Sequence, residues 1–110
     1  MHDDVFYERQ ARLCAVLADP KRLRLLDALR DGERSVGELV EVLGASYPNV
    51  SQHLTGMRDA GVVLTRKAGT TVFYRLAFPR LLDACDIVHE VLRTQLAAER
   101  RLGRRALVAR

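Results

Sequence analysis

The sequence predicts a small, mainly α-helical domain that carries one β-hairpin and spans residues 1–110. Two observations lead to this fold class. Aliphatic residues recur at helical spacing along most of the chain, with start and stop signals between the helices. Only residues 62–76 break that period, with β-branched and aromatic residues on both sides of a glycine-containing turn. Hydrophobic residues make up 48% of the chain but aromatic residues only 5%, so we expect a core of aliphatic helices.

The first helix is predicted at residues 4–18, and the second is predicted to begin at Pro20 and to stop at Gly32. Asp3 or Asp4 is placed to cap the first helix. Asp19 followed by a proline is a start signal for the second helix, because a proline at the first helical position removes no intrahelical hydrogen bond. Gly32 is expected to end this second helix because glycine readily adopts the left-handed conformation found after a helix C-terminus.

A helix-turn-helix is predicted over residues 36–60. Ser35 and Glu38 have the spacing of a capping box at the start of the third helix, which Gly44 should end. Ser46 is placed to cap the fourth helix, in whose first turn a proline is tolerated. The apolar residues of these two helices recur at helical spacing and should face the core: Val36, Leu39, Val40, Leu43, Val50, Leu54 and Met57.

The β-hairpin over residues 62–76 is called the wing here. Its strands are expected at residues 62–65 and 71–76, because these segments are rich in β-branched and aromatic residues. Residues 67–70 include a glycine and are expected to form the turn. With its flanking helices, the chain is predicted to have the element order α-α-α-α-β-β-α.

A fifth helix is predicted over residues 79–102, followed by a basic tail at residues 103–110. A proline opens the helix, and its apolar side chains recur at helical spacing. This apolar stripe comprises Leu81, Cys85, Val88, Leu92 and Leu96. The tail carries only basic charges and is expected to be frayed.

A short helix, a tight turn, a second helix and a hairpin make up the winged helix-turn-helix layout, whose second helix fits the major groove of DNA. Residues 42–57 contain no Asp, Glu, Lys or Arg. Uncharged polar side chains suit a groove lined by bases, because Asn and Gln can pair with adenine through two hydrogen bonds. The candidate DNA-contacting residues of this helix are Ser46, Tyr47, Asn49, Ser51, Gln52 and His53. The alternative is an ordinary polar helix face.

The basic residues around this helix favour a polyanionic partner. The chain has a formal net charge of +4. The candidate contacts to the DNA backbone are Arg58 at the end of the fourth helix, together with Arg66, Lys67 and Arg75 in the wing. The alternative for the wing is that charged residues protect an exposed strand edge against aggregation.

Five segments, in one unbroken order, resemble the ArsR/SmtB family of repressors. They are LADPKRLRLL at residues 17–26, SVGEL at 35–39, NVSQHL at 49–54, AGVV at 60–63 and FYRL at 73–76. The resemblance implies a homodimer built on the first and last helices, residues 1–18 and 79–102. It also implies binding to a near-palindromic operator in double-stranded DNA, with half-sites roughly 34 Å apart. Members of the family usually lose affinity for DNA when an effector binds.

The effector site is predicted less directly. The arsenical-sensing branch carries cysteines in the third helix, where this chain has none. The zinc-sensing branch carries Asp-x-His and a second histidine pair in the last helix, where this chain has Asp83-Ala84-Cys85 and then Leu96. Cys85 and His89 nevertheless lie four residues apart on one helix face and could bind one metal ion, with Cys14 as a further ligand.

Two alternatives stay open for these residues. Cys14 and Cys85 could be small apolar core residues. They could also form a thiol-based redox switch, which would require their Cα atoms to lie within about 7 Å. Whichever role these residues have, DNA binding itself is expected to require no cofactor. A metal ion, if one binds, would act only as an effector.

Several function classes find no support in the sequence. There is no glycine-rich phosphate loop and no nucleophile elbow, so we do not expect an enzyme. There is no signal peptide and no apolar stretch of membrane-spanning length, so we expect a cytoplasmic protein without a membrane partner. The rival interpretation is a winged-helix protein-interaction module that binds no specific DNA.

Overall fold

The computed structural model describes residues 3–103, which form five helices and one small antiparallel sheet. The elements are α1 (Asp4–Val16), α2 (Pro20–Ala28), β1 (Arg34–Ser35), α3 (Val36–Leu43), α4 (Tyr47–Asp59), β2 (Val63–Ala68), β3 (Thr71–Leu76) and α5 (Leu81–Arg101). The chain divides after Pro79 into an N-terminal unit, which ends with the wing, and a C-terminal unit that contains α5. The predicted winged helix-turn-helix order is confirmed. Most of the predicted basic tail, residues 104–110, lies outside the described residues.

Side-chain caps start the first four helices. Each capping oxygen accepts a hydrogen bond from the backbone N–H three residues later, at 2.9 to 3.3 Å. The caps are Asp3, Asp19, Ser35 and Ser46, as the sequence predicts. Glu38 accepts a hydrogen bond from the backbone N–H of Ser35 at 3.0 Å and so completes the capping box. These local interactions fix where each helix begins.

Three helix boundaries differ from the prediction. α1 ends at Val16 and α2 at Ala28, each before the expected residue. After α2 the backbone N–H groups of Leu29 and Arg30 donate to carbonyls three residues back. The chain therefore forms a tighter turn than an α-helix before it reaches Gly32. α5 begins at Leu81, two residues after the proline that was expected to open it.

Two backbone hydrogen bonds end α4 at its junction with β2. Gly61 has a φ of +78°, a left-handed conformation that glycine adopts without a Cβ clash. Its N–H bonds to the carbonyl of Arg58 at 2.9 Å, and the N–H of Val62 bonds to that of Met57 at 3.0 Å. This pair of bonds is a Schellman motif. It carries the chain directly from the fourth helix into the wing.

The sheet has three strands in the order β1-β3-β2, where the sequence predicted two. β1 is only two residues long, and its Arg34 pairs with Tyr74 of β3. Two residues are too few to show the alternation of apolar and polar side chains that predicts a strand. The predicted turn at residues 67–70 was also wrong in extent. β2 continues to Ala68, which pairs with Thr71, so the turn contains only Gly69 and Thr70.

The core of the N-terminal unit is aliphatic, as the composition predicts. It draws on α2, α3, α4 and the sheet, and includes Leu25, Leu26, Leu29, Val36, Leu39, Leu43, Val50, Leu54, Met57, Val62 and Val63. Val40 is only half-buried, contrary to its predicted place in the core. α1 contributes no buried residue, and Phe6 and Leu13 on it are exposed. Within residues 3–103, none of the helices combines the length and the apolar character that a membrane span requires.

Candidate nucleic-acid interface

The fourth helix has three distinct sides. Its apolar side is fully buried: Val50, Leu54 and Met57 have no exposed surface. A second side faces outward and is called the α4 outer face; it comprises Tyr47, Gln52, Thr55 and Arg58, all of them exposed. Because the buried side holds the helix to the rest of the unit, the α4 outer face is a rigid platform that presents polar side chains.

Hydrogen bonds within α4 restrict two of its hydroxyl groups. The Thr55 Oγ1 hydroxyl donates to the carbonyl of Ser51 at 2.9 Å, so this hydroxyl offers only acceptor capacity outward. The Oγ of Ser46 accepts from the backbone N–H of Asn49 at 3.3 Å and keeps its proton for donation. Tyr47 and Gln52 extend from the same helix with larger polar groups.

The third side of α4 lies against the start of α2. Lys21 Nζ donates to Asn49 Oδ1 at 3.1 Å. His53 Nδ1 lies 3.8 Å from Asp19 Oδ2, and the His53 side chain is 20% exposed. Asn49 and His53 on this side are half-buried, as is Ser51 elsewhere on the helix, whereas Ser46, Tyr47 and Gln52 are exposed. Their proposed contacts with DNA remain predictions.

The carboxylate at this junction is held in its charged form. The backbone N–H of Arg22 donates to Asp19 at 3.0 Å and lowers the pKa of Asp19 below its ordinary value. The nearby His53 imidazole lowers the same pKa further. At neutral pH the start of α2 therefore places a negative charge beside His53 and a positive charge, Lys21, beside Asn49.

In the wing, Arg66 is already paired. Its Nε and Nη2 donate to the two carboxylate oxygens of Glu33 at 3.0 and 2.7 Å, and its guanidinium lies 4.6 Å from the centroid of the Phe73 ring. This bidentate hydrogen bond lowers the pKa of Glu33 and raises that of Arg66. The positive charge of Arg75 also lowers the pKa of Glu33.

The remaining wing cations lie on different faces of the sheet. Lys67 is opposite Val72 and Arg66 is opposite Phe73, so alternation along the strand puts Lys67 and Arg66 on opposite faces. Arg75 shares the face of Phe73, two residues away along β3. Both Lys67 and Arg75 are exposed. The wing thus offers a cation on each face.

The candidate effector residues occupy two helices. Cys14 is exposed on α1, Cys85 is half-buried on α5, and His89 is exposed one turn further along α5. Both cysteines are thiols. Across residues 3–103, no three His, Cys, Asp or Glu side chains are grouped so that they could hold a metal ion. The effector role of these three residues stays a prediction.

Sequence reasoning missed Lys21, Asp19 and Glu33 as neighbours of the interface. Their contacts join residues 28 to 34 positions apart, and no periodicity in a single sequence shows such pairs. Lys21 and Asp19 do fall within the segment at residues 17–26 that carries the family resemblance. That segment was therefore the signal that could have pointed to Lys21 and Asp19.

Comparisons with known proteins agree with this geometry. Residues 19–65 match the family described as "Bacterial regulatory protein, arsR family". The chain is 36% identical over 93 residues to the uncharacterized HTH-type transcriptional regulator Rv0081 of Mycobacterium tuberculosis, covering 84% of this chain and 82% of that protein. It is 52% identical over 61 residues to the HTH-type transcriptional regulator KmtR of the same species, covering 56% of this chain but only 47% of KmtR.

Solved structures show the same fold. The crystal structure of Rv0081 superposes with a TM-score of 0.77 at 33% identity and covers 89% of this chain and 98% of that chain. The homodimeric winged helix-turn-helix DNA-binding domain Mb0332 of Mycobacterium bovis gives a TM-score of 0.72 at 29% identity, covering 81% and 88%. This chain belongs to the arsR family of bacterial regulatory proteins, and it is a winged helix-turn-helix transcriptional regulator that binds DNA.

Proposed function

We propose that the chain is a homodimeric repressor that sets the α4 helices of its two copies into successive major grooves of a near-palindromic operator. The observation that carries this proposal is the α4 outer face. It presents uncharged hydrogen-bonding groups on a helix whose opposite side is fully buried, and Arg58 stands at its end. A rigid helix face that carries polar side chains is what readout of base edges requires.

Within this arrangement the residues divide into two groups. Tyr47 and Gln52 contact base edges, together with Ser46, Asn49, Ser51 and His53 from the flanks of the same helix. Arg58, Lys67 and Arg75 contact phosphates, because they are exposed cations beside this helix and in the wing. Arg66 already donates two of its hydrogen bonds to Glu33, so we assign it to holding the wing in place.

The proposed dimer uses α1 and α5, each of which exposes apolar side chains. On α5, Val88, Leu92 and Leu96 are 67%, 48% and 44% exposed. On α1, Phe6 and Leu13 are 49% and 36% exposed. Apolar stripes of this extent favour a partner helix over water, and a second copy of the chain supplies one. The homodimeric state of the Mb0332 domain supports this choice.

Release from DNA is the second half of the proposed function. We assign the effector, a metal or metalloid ion or a thiol oxidant, to Cys85 and His89 on α5, with Cys14 as an additional thiol. The support is the four-residue spacing on one helix and the thiol state of both cysteines. Regulation of operator DNA places this activity in the bacterial cytoplasm and requires no catalysis.

The first experiment is selection of duplexes from a library with a randomised core, followed by fluorescence anisotropy with the selected duplex. We expect a two-fold symmetric site, a dimer in sedimentation analysis, and affinity that falls steeply as salt rises. A monomer that selects no sequence and shows no salt-dependent affinity for DNA would contradict the proposal. That result would favour the rival function, docking on another protein.

A further inference from the structure

The first turns of α2 and α4 are joined by one side-chain hydrogen bond. Lys21 Nζ donates to Asn49 Oδ1 at 3.1 Å, across 28 positions of sequence. Both helix starts are anchored, because Asp19 caps α2 and Ser46 caps α4. Lys21 and Asn49 therefore sit on two fixed backbone segments and not on loops. Asn49 belongs to the first turn of the helix that the proposed function places in the major groove.

The chemistry of this bond fixes the orientation of the Asn49 amide. A lysine ammonium has three donors and no acceptor, so the atom facing Lys21 has to be the amide oxygen. The NH2 group of the same amide then lies on its other side with two hydrogens to donate. The bond thus settles which end of the amide is engaged within the protein and which end is available to a ligand.

We propose that Lys21 is a specificity-positioning residue, which holds Asn49 so that its amide presents donors to the groove and selects guanine over adenine. Recognition of adenine uses the amide oxygen and the NH2 group together, since adenine offers one donor and one acceptor there. Guanine offers two acceptors, N7 and O6, and needs only donors. An Asn49 oxygen held by Lys21 is poorly placed for the first task, while its NH2 group suits the second.

The inference rests on the proposed function and is tested on the same selected duplex. The variants are Lys21→Met, which keeps the aliphatic stem and removes the donors, Asn49→Ala, and the double variant. Anisotropy is measured on the selected duplex, on duplexes with single base-pair changes in each half-site, and on a random duplex. Lys67→Met is the matched control, because it removes the same charge from an exposed site in the wing.

We expect Asn49→Ala to flatten the preference at one base pair per half-site, where the wild type prefers guanine. Lys21→Met should lower the guanine-over-adenine ratio at that same base pair by roughly tenfold. In the Asn49→Ala background, Lys21→Met should change that ratio no further, because Lys21 acts through Asn49. Lys67→Met should weaken all duplexes by a common factor and leave every base preference unchanged.

Two results overturn the inference while leaving the proposed function intact. One is that Lys21→Met weakens selected and random duplexes equally, and additively with Asn49→Ala, which makes Lys21 a plain phosphate contact. The other is that the wild type selects a site whose base preferences Lys21→Met leaves unchanged. If the wild type selects no site at all, the proposed function itself fails. An unchanged thermal midpoint for Lys21→Met, expected for an exposed side chain, excludes misfolding as the cause.

Discussion

Arg66 and Glu33 form a two-point ion pair that joins the loop before β1 to the β2 strand of the wing. The two hydrogen bonds measure 3.0 and 2.7 Å, and the Phe73 ring lies beneath the guanidinium at 4.6 Å. The planar fork of arginine matches a carboxylate, and it would match a phosphate by the same geometry. Glu33 therefore occupies the edge of Arg66 formed by Nε and Nη2, one of the edges on which a guanidinium can bind a phosphate through two hydrogen bonds.

Removing the Glu33 charge should free Arg66 for DNA. We expect Glu33→Gln to strengthen binding to a random duplex at low salt, and to steepen the plot of log affinity against log salt by about 0.9, the value for one extra phosphate contact. Asp27→Asn is the matched control, because it removes one exposed acidic charge on α2, which is paired with Arg30. A Glu33→Gln slope equal to that of the wild type would mean that Arg66 stays out of reach of DNA.

Base readout and backbone contact should separate in two variants. Gln52→Ala removes a polar group from the α4 outer face, so it should weaken the selected duplex by about tenfold and a random duplex hardly at all. Lys67→Ala should weaken both duplexes alike and reduce the salt slope by about one. Anisotropy titrations at several salt concentrations measure both effects. If both variants lowered the affinity for the selected and the random duplex equally, Gln52 would not read bases and Lys67 would not act as a separate phosphate contact.

The features that the sequence predicted correctly are local ones. The caps at Asp19, Ser35 and Ser46 depend on residues three positions apart, and the buried side of α4 follows from its helical spacing. The missed features depend on contacts between distant segments. β1 exists only because Arg34 meets Tyr74 in β3, and two residues carry no period of their own. The same holds for the pairs formed by Lys21 and by Arg66, whose partners no sequence pattern identifies.

Acid should destabilise the domain through its paired carboxylates. Hydrogen bonds and nearby positive charges lower the pKa values of Asp19, Glu33 and Glu38 below their ordinary values of 3.8 and 4.5. A folded-state pKa below the unfolded one stabilises the fold fully above the unfolded pKa, and this contribution is lost as pH falls through the folded value. We expect the thermal midpoint to hold from neutral pH to about 5 and then to fall.

Glu38→Gln tests that assignment at one residue. Glutamine keeps the capping-box hydrogen bond to Ser35 but does not titrate, so the variant should match the wild type more closely at acid pH than at neutral pH. The measurement is a pair of melting curves at each pH. Identical differences between the two proteins at every pH would exclude a contribution from the Glu38 carboxylate.

The exposed apolar stripe of α5 should be needed for assembly. Leu92→Glu puts a charge in this stripe, at a residue that is 48% exposed in the single chain. We expect sedimentation equilibrium to show monomers, and affinity for a two-half-site duplex to fall on the order of a hundredfold, because each copy then binds alone. Thr94→Glu adds the same charge at an exposed residue two positions further along, on the opposite side of the helix, and should remain a dimer. A dimeric Leu92→Glu protein would place the interface elsewhere.

Cys85 should be required for release from DNA if α5 carries the effector site. The protein–duplex complex is titrated with zinc, cadmium, arsenite and a mild thiol oxidant, and release is followed by anisotropy. We expect one of them to release the wild type and not Cys85→Ser, which keeps the size of the side chain and removes the thiolate. His89→Ala separates the mechanisms, because it should abolish release by a metal ion and preserve release by oxidation.

Cys14→Ser should abolish release only if the effector is an oxidant, because a second thiol is then needed to form the disulfide. If no agent releases the wild type, the repressor responds to a different inducer or to none.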